Sequence, residues 1–305
     1  PIEGRPFLHM NDARKSVCAQ PVGLAADAEV PEMANDKRRS PGKGASGQYR
    51  SSKPKPKGKR SAGRGKPYPP KKGRSDSSDR SESAKRRRDL KGAAVDLPNW
   101  VIEALTRVTP KDRVAPALEE LGAASAAMSD GRYHAAVKHA KTAKNLAPQD
   151  ATVRETLGLS AYRVGDWDTA LSELRAYRRM AGDATHLPIE MDVLRALERD
   201  QDVEKAWETL QKADVSAAAW KEGKVVYGTF LLEKGDAGGA WDLTGPDRVG
   251  PNANEADLRV WYVAARAAAF NGDTATARRI ADAIVLNDPS FAGLDALDQE
   301  IAKRS

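Results

Sequence analysis

The sequence GDWDTA at residues 165–170 recurs in altered form along the second half of the chain. Related segments are GRYHAA at 131–136, QDVEKA at 201–206, GDAGGA at 235–240 and GDTATA at 272–277. The alanines that end the five segments are spaced by 34, 36, 34 and 37 residues. Because a turn former followed by a helix start recurs at this spacing, the pattern predicts a series of repeated helical hairpins.

Small and apolar residues recur at fixed distances from each turn. The copy at 272–277 has the fullest set, which is Trp261, Ala265, Gly272, Ala277, Ala281, Ile284 and Pro289. The copy at 165–170 has Leu157, Gly158, Gly165, Trp167, Ala170, Leu174 and Tyr177. In this spacing the chain resembles the tetratricopeptide repeat (TPR) family over about residues 117–290. The copy at 201–206 departs most from the family pattern, since it lacks the turn glycine and its repeat carries two extra residues.

A single hairpin cannot bury its apolar face, so neighbouring hairpins must stack into a solenoid. Small residues before and after each turn allow the two helices to approach to about 8–10 Å. We therefore predict an all-α fold over residues 97–304, a TPR-like solenoid of about five hairpins with a capping helix at each end. Residues 97–121 are expected to form the first cap, with Asp96 as its N-cap. Residues 290–303 are expected to form the last, with Ser290 as its cap residue.

The charge of the chain is concentrated in one segment. Residues 37–91 contain 21 Lys and Arg but only 4 Asp and Glu, whereas residues 92–305 carry a net charge of −7. With few apolar residues to offset the entropy of ordering, residues 37–91 are expected to form a disordered basic tail. Residues 1–36 show no periodicity and are interpreted as a disordered extension or tag, because IEGR at 2–5 matches a common protease site.

Composition excludes several classes of protein. No apolar run approaches the ~20 residues of a membrane span, and the single cysteine, Cys18, cannot form an internal disulfide framework. The sequence contains no metalloprotease motif, nucleophile elbow or dinucleotide-binding glycine pattern. We therefore expect a protein that is not an enzyme, with no cofactor, metal or small-molecule substrate. In the absence of a secretion signal pattern, the expected location is the cytoplasm.

The TPR resemblance implies that the first helix of each hairpin lines a concave groove. Matched repeat by repeat, the charged and aromatic residues at the groove positions are Glu155, Tyr162, Arg163, Arg195, Arg199, Arg259, Tyr262 and Arg266. Arginine forms bidentate hydrogen bonds with carboxylates, so this set suits an acidic peptide or a C-terminus as partner. The alternative is a solvated helix face on which arginine stems cover apolar neighbours.

The basic tail suggests a second kind of contact. Each phosphate that a cation neutralises releases a counterion, so the tail could attach to RNA, ribosomes or DNA without reading sequence. Its candidate cations are Lys53, Lys55, Lys57, Lys59, Arg60, Arg64, Lys66, Lys71, Lys72, Lys85, Arg86, Arg87 and Arg88. The leading hypothesis is a scaffold whose groove holds a protein. The alternative is a nucleic-acid-binding protein in which the tail is the main functional element.

Overall fold

The computed structural model describes residues 92–304, and the extension at 1–36 and the basic tail at 37–91 lie outside the described residues. The described part contains no strand. After a short 3-10 helix at Gly92–Asp96 it consists of twelve α-helices: α1 Asn99–Val108, α2 Lys111–Ser129, α3 Tyr133–Leu146, α4 Ala151–Arg163, α5 Trp167–Ala181, α6 Leu187–Ala196, α7 Asp200–Lys212, α8 Ala217–Glu233, α9 Ala237–Thr244, α10 Glu255–Phe270, α11 Thr274–Asn287 and α12 Leu294–Ala302.

Ten of these helices form five hairpins. The pairs are α2 with α3, α4 with α5, α6 with α7, α8 with α9, and α10 with α11. Some first helices also pack against the next first helix: α2 packs against α4, and α8 packs against both α6 and α10. The expected all-α fold, with about five hairpins between terminal helices, is confirmed.

The turns inside the hairpins share one local geometry. In four of the five turns a glycine has a left-handed backbone, as at Gly165 (φ 75°) and Gly272 (φ 83°). In three of these four an aspartate follows and its side chain accepts a hydrogen bond from the new helix, as Asp166 does from the Thr169 amide. In the third hairpin Glu198 adopts φ 55° in place of a glycine, so this hairpin forms despite its weak sequence match.

The terminal helices differ from the expectation. Pro98, not Asp96, occupies the N-cap position of α1, and Pro110 separates α1 from α2 because proline cannot continue the first helix. At the other end α12 begins after Gly293, whose φ of 95° is incompatible with helix. The Ser290 hydroxyl donates instead to Asp288, and it caps no helix.

Close helix approach explains the small residues of the pattern. A Cβ added to Gly158 in α4 would lie 2.8 Å from two side-chain carbons of Leu174 in α5. Buried alanines such as Ala265 and Ala281 serve the same purpose in the last hairpin. Trp207 is buried as expected for a core residue, whereas Trp100 on α1 remains 42% exposed. No helix within residues 92–304 is long and apolar enough to cross a membrane.

Candidate functional site on the inner helix face

A row of polar side chains runs across successive first helices. The Tyr162 hydroxyl of α4 donates a hydrogen bond of 2.5 Å to Asp192 of α6. Arg195, one turn further along α6, donates to the same carboxylate at 2.8 Å. Its other terminal nitrogen lies 2.5 Å from the Glu233 carboxylate at the end of α8. These contacts link three hairpins through side chains alone.

A second polar contact joins the last hairpin to the terminal helix. Arg266 of α10 donates to Glu300 of α12 at 2.8 Å. Burial of the Arg266 guanidinium acts to lower its pKa, but the hydrogen bond and charge of Glu300, with the charges of Tyr262 and Glu233, raise it above its usual value. Glu233 therefore contributes to the charge environment of Arg266. We call Tyr162, Asp192, Arg195, Glu233, Arg266 and Glu300 the polar ladder.

Charge alternates along the polar ladder, and exposure differs between its members. The Glu233 side chain is 45% exposed, whereas that of Arg195 is only 14% exposed. Burial opposes the charge of Arg195, yet Asp192 and Glu233 together raise the pKa of its guanidinium. Both arginines of the ladder are therefore held as cations by carboxylates of the chain itself. The group most open to a partner is the Glu233 carboxylate.

Three residues that the sequence analysis assigned to the groove are buried between hairpins. Glu155 accepts a 2.6 Å hydrogen bond from Nε2 of His186, which stands directly before α6. Arg259 of α10 donates to Glu222 of α8 at 2.6 Å, and both side chains are less than 10% exposed. Tyr162 is 6% exposed, and its hydroxyl donates to Asp192 of the polar ladder. These side chains join one hairpin to the next.

Three other predicted groove residues make contacts outside the polar ladder. The Arg163 guanidinium lies 4.2 Å from the centroid of the Tyr133 ring and donates to the Tyr133 hydroxyl. Arg199 lies outside the first helices, because α6 ends at Ala196, and it pairs with Asp202 in the first turn of α7. Tyr262 is half-buried against Phe291. Of the eight predicted residues, Tyr162 and Arg195 share the Asp192 carboxylate, and Arg266 pairs with Glu300 in the last part of the polar ladder.

Sequence reasoning missed the carboxylates that complete these contacts. Asp192, Glu233, Glu300 and Glu222 were not assigned, because pairing depends on the register between hairpins. One signal was available: the paired residues are separated by about one repeat, which is 30 positions for Tyr162 with Asp192 and 38 for Arg195 with Glu233. Complementary polar residues one period apart therefore predict a cross-repeat contact.

The site contains little that could hold a metal. Within residues 92–304 no group of three or more His, Cys, Asp or Glu residues is arranged to bind a metal ion.

No protein-family model matches the chain. A search of curated proteins found no matching relative.

Proposed function

We propose that this chain is a TPR-like protein-binding scaffold of the cytoplasm, which binds its partner along the inner face of the first helices. The polar ladder is the observation that carries this proposal, since its hydrogen bonds join α4, α6 and α8 in one group and α10 with α12 in another. A surface shared by several hairpins suits an extended peptide better than a small molecule. Repeat proteins present such extended surfaces through stacking alone.

The charges of the polar ladder favour one chemistry of partner over another. Asp192, Glu233 and Glu300 outnumber Arg195 and Arg266, and each arginine already has a carboxylate within hydrogen-bond distance. An acidic peptide, the partner suggested by the sequence, would have to displace Glu233 or Glu300. A peptide that brings a cation or backbone N–H groups to the exposed Glu233 meets no such competition.

Photo-crosslinking tests the assignment of the inner face. A benzophenone amino acid would replace Leu159 or Thr229, two half-buried residues at matching positions on α4 and α8, or Thr209 on the outer helix α7 as control. In nuclease-treated host cells we expect both inner positions to capture the same protein and Thr209 not to capture it. Equal capture from Thr209, or different proteins from the two inner positions, would contradict the proposal.

For the basic tail we propose electrostatic attachment to RNA, ribosomes or DNA. The net charge of −7 over residues 92–305 repels phosphate, which leaves residues 37–91 as the attaching element. The capture experiment repeated on a chain without residues 37–91 separates the two hypotheses. A scaffold keeps its captured protein and loses nucleic acid. Loss of both would favour the alternative, a nucleic-acid-binding protein in which the tail is the main element.

A further inference from the structure

Four aromatic rings form a stack between α7 and α8. The Trp207 ring of α7 lies 4.7 Å from that of Tyr227, with an interplanar angle of 8°. On its other side it lies 5.2 Å from the Trp220 ring, at 20°. Phe230 extends the row, with its ring 5.7 Å from Tyr227. Apart from Trp207, the stack belongs to α8, so it joins the third hairpin to the fourth.

The stack lies at the junction between the third and fourth hairpins, where α7 and α8 also approach closely, since a Cβ on Gly223 would clash with the Leu210 side chain. At the junction between the first and second hairpins α3 packs along α4, whereas α7 packs mainly on α6 and meets α8 through fewer residues. Trp207 and Phe230 are buried, but Trp220 and Tyr227 are only half-buried. The seam between α7 and α8 therefore presents parts of two aromatic rings to solvent. We call Trp207, Trp220 and Tyr227 the aromatic seam.

Carboxylates border the aromatic seam. Glu204 and Glu208 are exposed one turn apart on α7, and Asp236 is exposed at the start of α9. Partial burial raises the pKa of the Tyr227 hydroxyl, and the charges of Glu204, Asp236 and Glu208 raise it further. Two cations lie on α8 or just after it: the half-buried Lys224, between Trp220 and Tyr227 in sequence, and Lys234, whose Nζ lies 5.6 Å from the centroid of the Phe230 ring. The rim is thus acidic around an apolar floor.

We propose that the aromatic seam binds residues 67–72 of the same chain, Pro-Tyr-Pro-Pro-Lys-Lys. Proline rings pack well on aromatic faces, and a proline-rich segment loses little conformational entropy when it binds. The two lysines that follow the prolines match the carboxylates of Glu204 and Glu208. This contact is separate from the inner face and does not depend on the proposed function.

The length of the chain permits this contact. Residues 73–91 separate the proline-rich segment from the described part, and when extended they span about 60 Å. Helices stacked about 10 Å apart place the fourth hairpin roughly 30 Å from the first. Tethering of this kind gives an effective concentration of about 1 mM, so a weak contact suffices for occupancy.

Site-specific crosslinking within the full chain tests the proposal. A benzophenone amino acid replaces Tyr68 and, as the matched control, Tyr49, which lies in the same basic tail but has no proline beside it. After irradiation, mass spectrometry should map the product from position 68 to α7 and α8. Position 49 should give about tenfold less of that product, the factor expected when specific contacts are absent.

Two sets of substitutions, charge reversal on α7 and removal of the prolines, test the proposal independently. Glu204→Lys with Glu208→Lys should reduce the position-68 product about tenfold, as two surface ion pairs are lost. Glu119→Lys with Asp282→Lys changes the net charge equally at exposed sites on α2 and α11 and should leave the product unchanged. Pro69→Gly with Pro70→Gly should also abolish the product, and these changes leave the sequence of the solenoid intact.

Four results would overturn the assignment. Equal products from positions 49 and 68 would show attraction between tail and body without a site. When heavy-isotope-labelled and unlabelled chains are mixed, products that join one kind to the other would show that the segment binds a second molecule. The proposal would also be wrong if the position-68 product mapped outside α7 and α8. It would be wrong as well if that product persisted both in the Glu204→Lys, Glu208→Lys variant and in the variant with the two proline changes.

Discussion

Replacing Arg259 by glutamate is expected to lower the free energy of unfolding by about 3–5 kcal/mol, the cost of leaving a buried charge without its counterion. Arg259 and Glu222 join α10 to α8, and both side chains are less than 10% exposed. The new carboxylate would face that of Glu222 where water cannot screen the repulsion. Urea unfolding followed by circular dichroism at 222 nm measures the loss.

The chain offers a matched control for this substitution. Arg278 and Asp298 join α11 to α12 at the same distance of 2.6 Å, but about half of each side chain is exposed. Because exposed ion pairs contribute little, Arg278→Glu should cost no more than about 1 kcal/mol. If the two variants were equally stable, the buried pair would contribute no more to the stacking of hairpins than a surface pair does.

The second large effect is expected where α4 crosses α5 at Gly158. Gly158→Leu should destabilise the protein by about 3 kcal/mol, at the upper end of the range for overpacked cores. Even a Cβ at this position would lie 2.8 Å from the Leu174 side chain and 3.1 Å from the Leu174 backbone nitrogen. The two helices must then move apart or the side chains must leave their preferred rotamers.

Two further variants test whether the destabilisation by Gly158→Leu comes from overpacking or simply from replacing a glycine within a helix. At Gly238 in α9 a Cβ would meet only Asp236, at 3.8 Å, so Gly238→Ala should be neutral or stabilise by up to about 1 kcal/mol. Leu174→Ala makes room for the new side chain, so Gly158→Leu combined with Leu174→Ala should be more stable than the sum of the single effects predicts. Strict additivity would show that the two residues do not compete for the same space.

The hairpins could be predicted because their signals are local. A left-handed residue followed by an aspartate cap fixes a turn within a few positions, as at Gly272 and Asp273. The exception supports this explanation: Glu198 adopts the same backbone region without being glycine, and the third hairpin gave the weakest sequence signal.

The groove was harder to predict because its properties depend on distant residues. Arg259 has the same position in the repeat pattern as a groove residue, yet Glu222, 37 positions earlier, holds it in the interior. The reduced length of α6, which ends at Ala196, leaves Arg199 in a turn. A pattern of positions within one repeat does not give the register between repeats, and that register determines which charges are paired.

The central claim is that the first helices of successive hairpins stack into one continuous face. Double electron–electron resonance tests it most directly, with nitroxide labels on Ser125→Cys in α2 and Thr229→Cys in α8 and with the native Cys18 changed to serine. Three helix-to-helix steps of 8–10 Å predict one narrow distance distribution centred at about 30 Å. A broad distribution, or a peak beyond about 50 Å, would contradict the stack, since hairpins that do not pack on one another would lie farther apart.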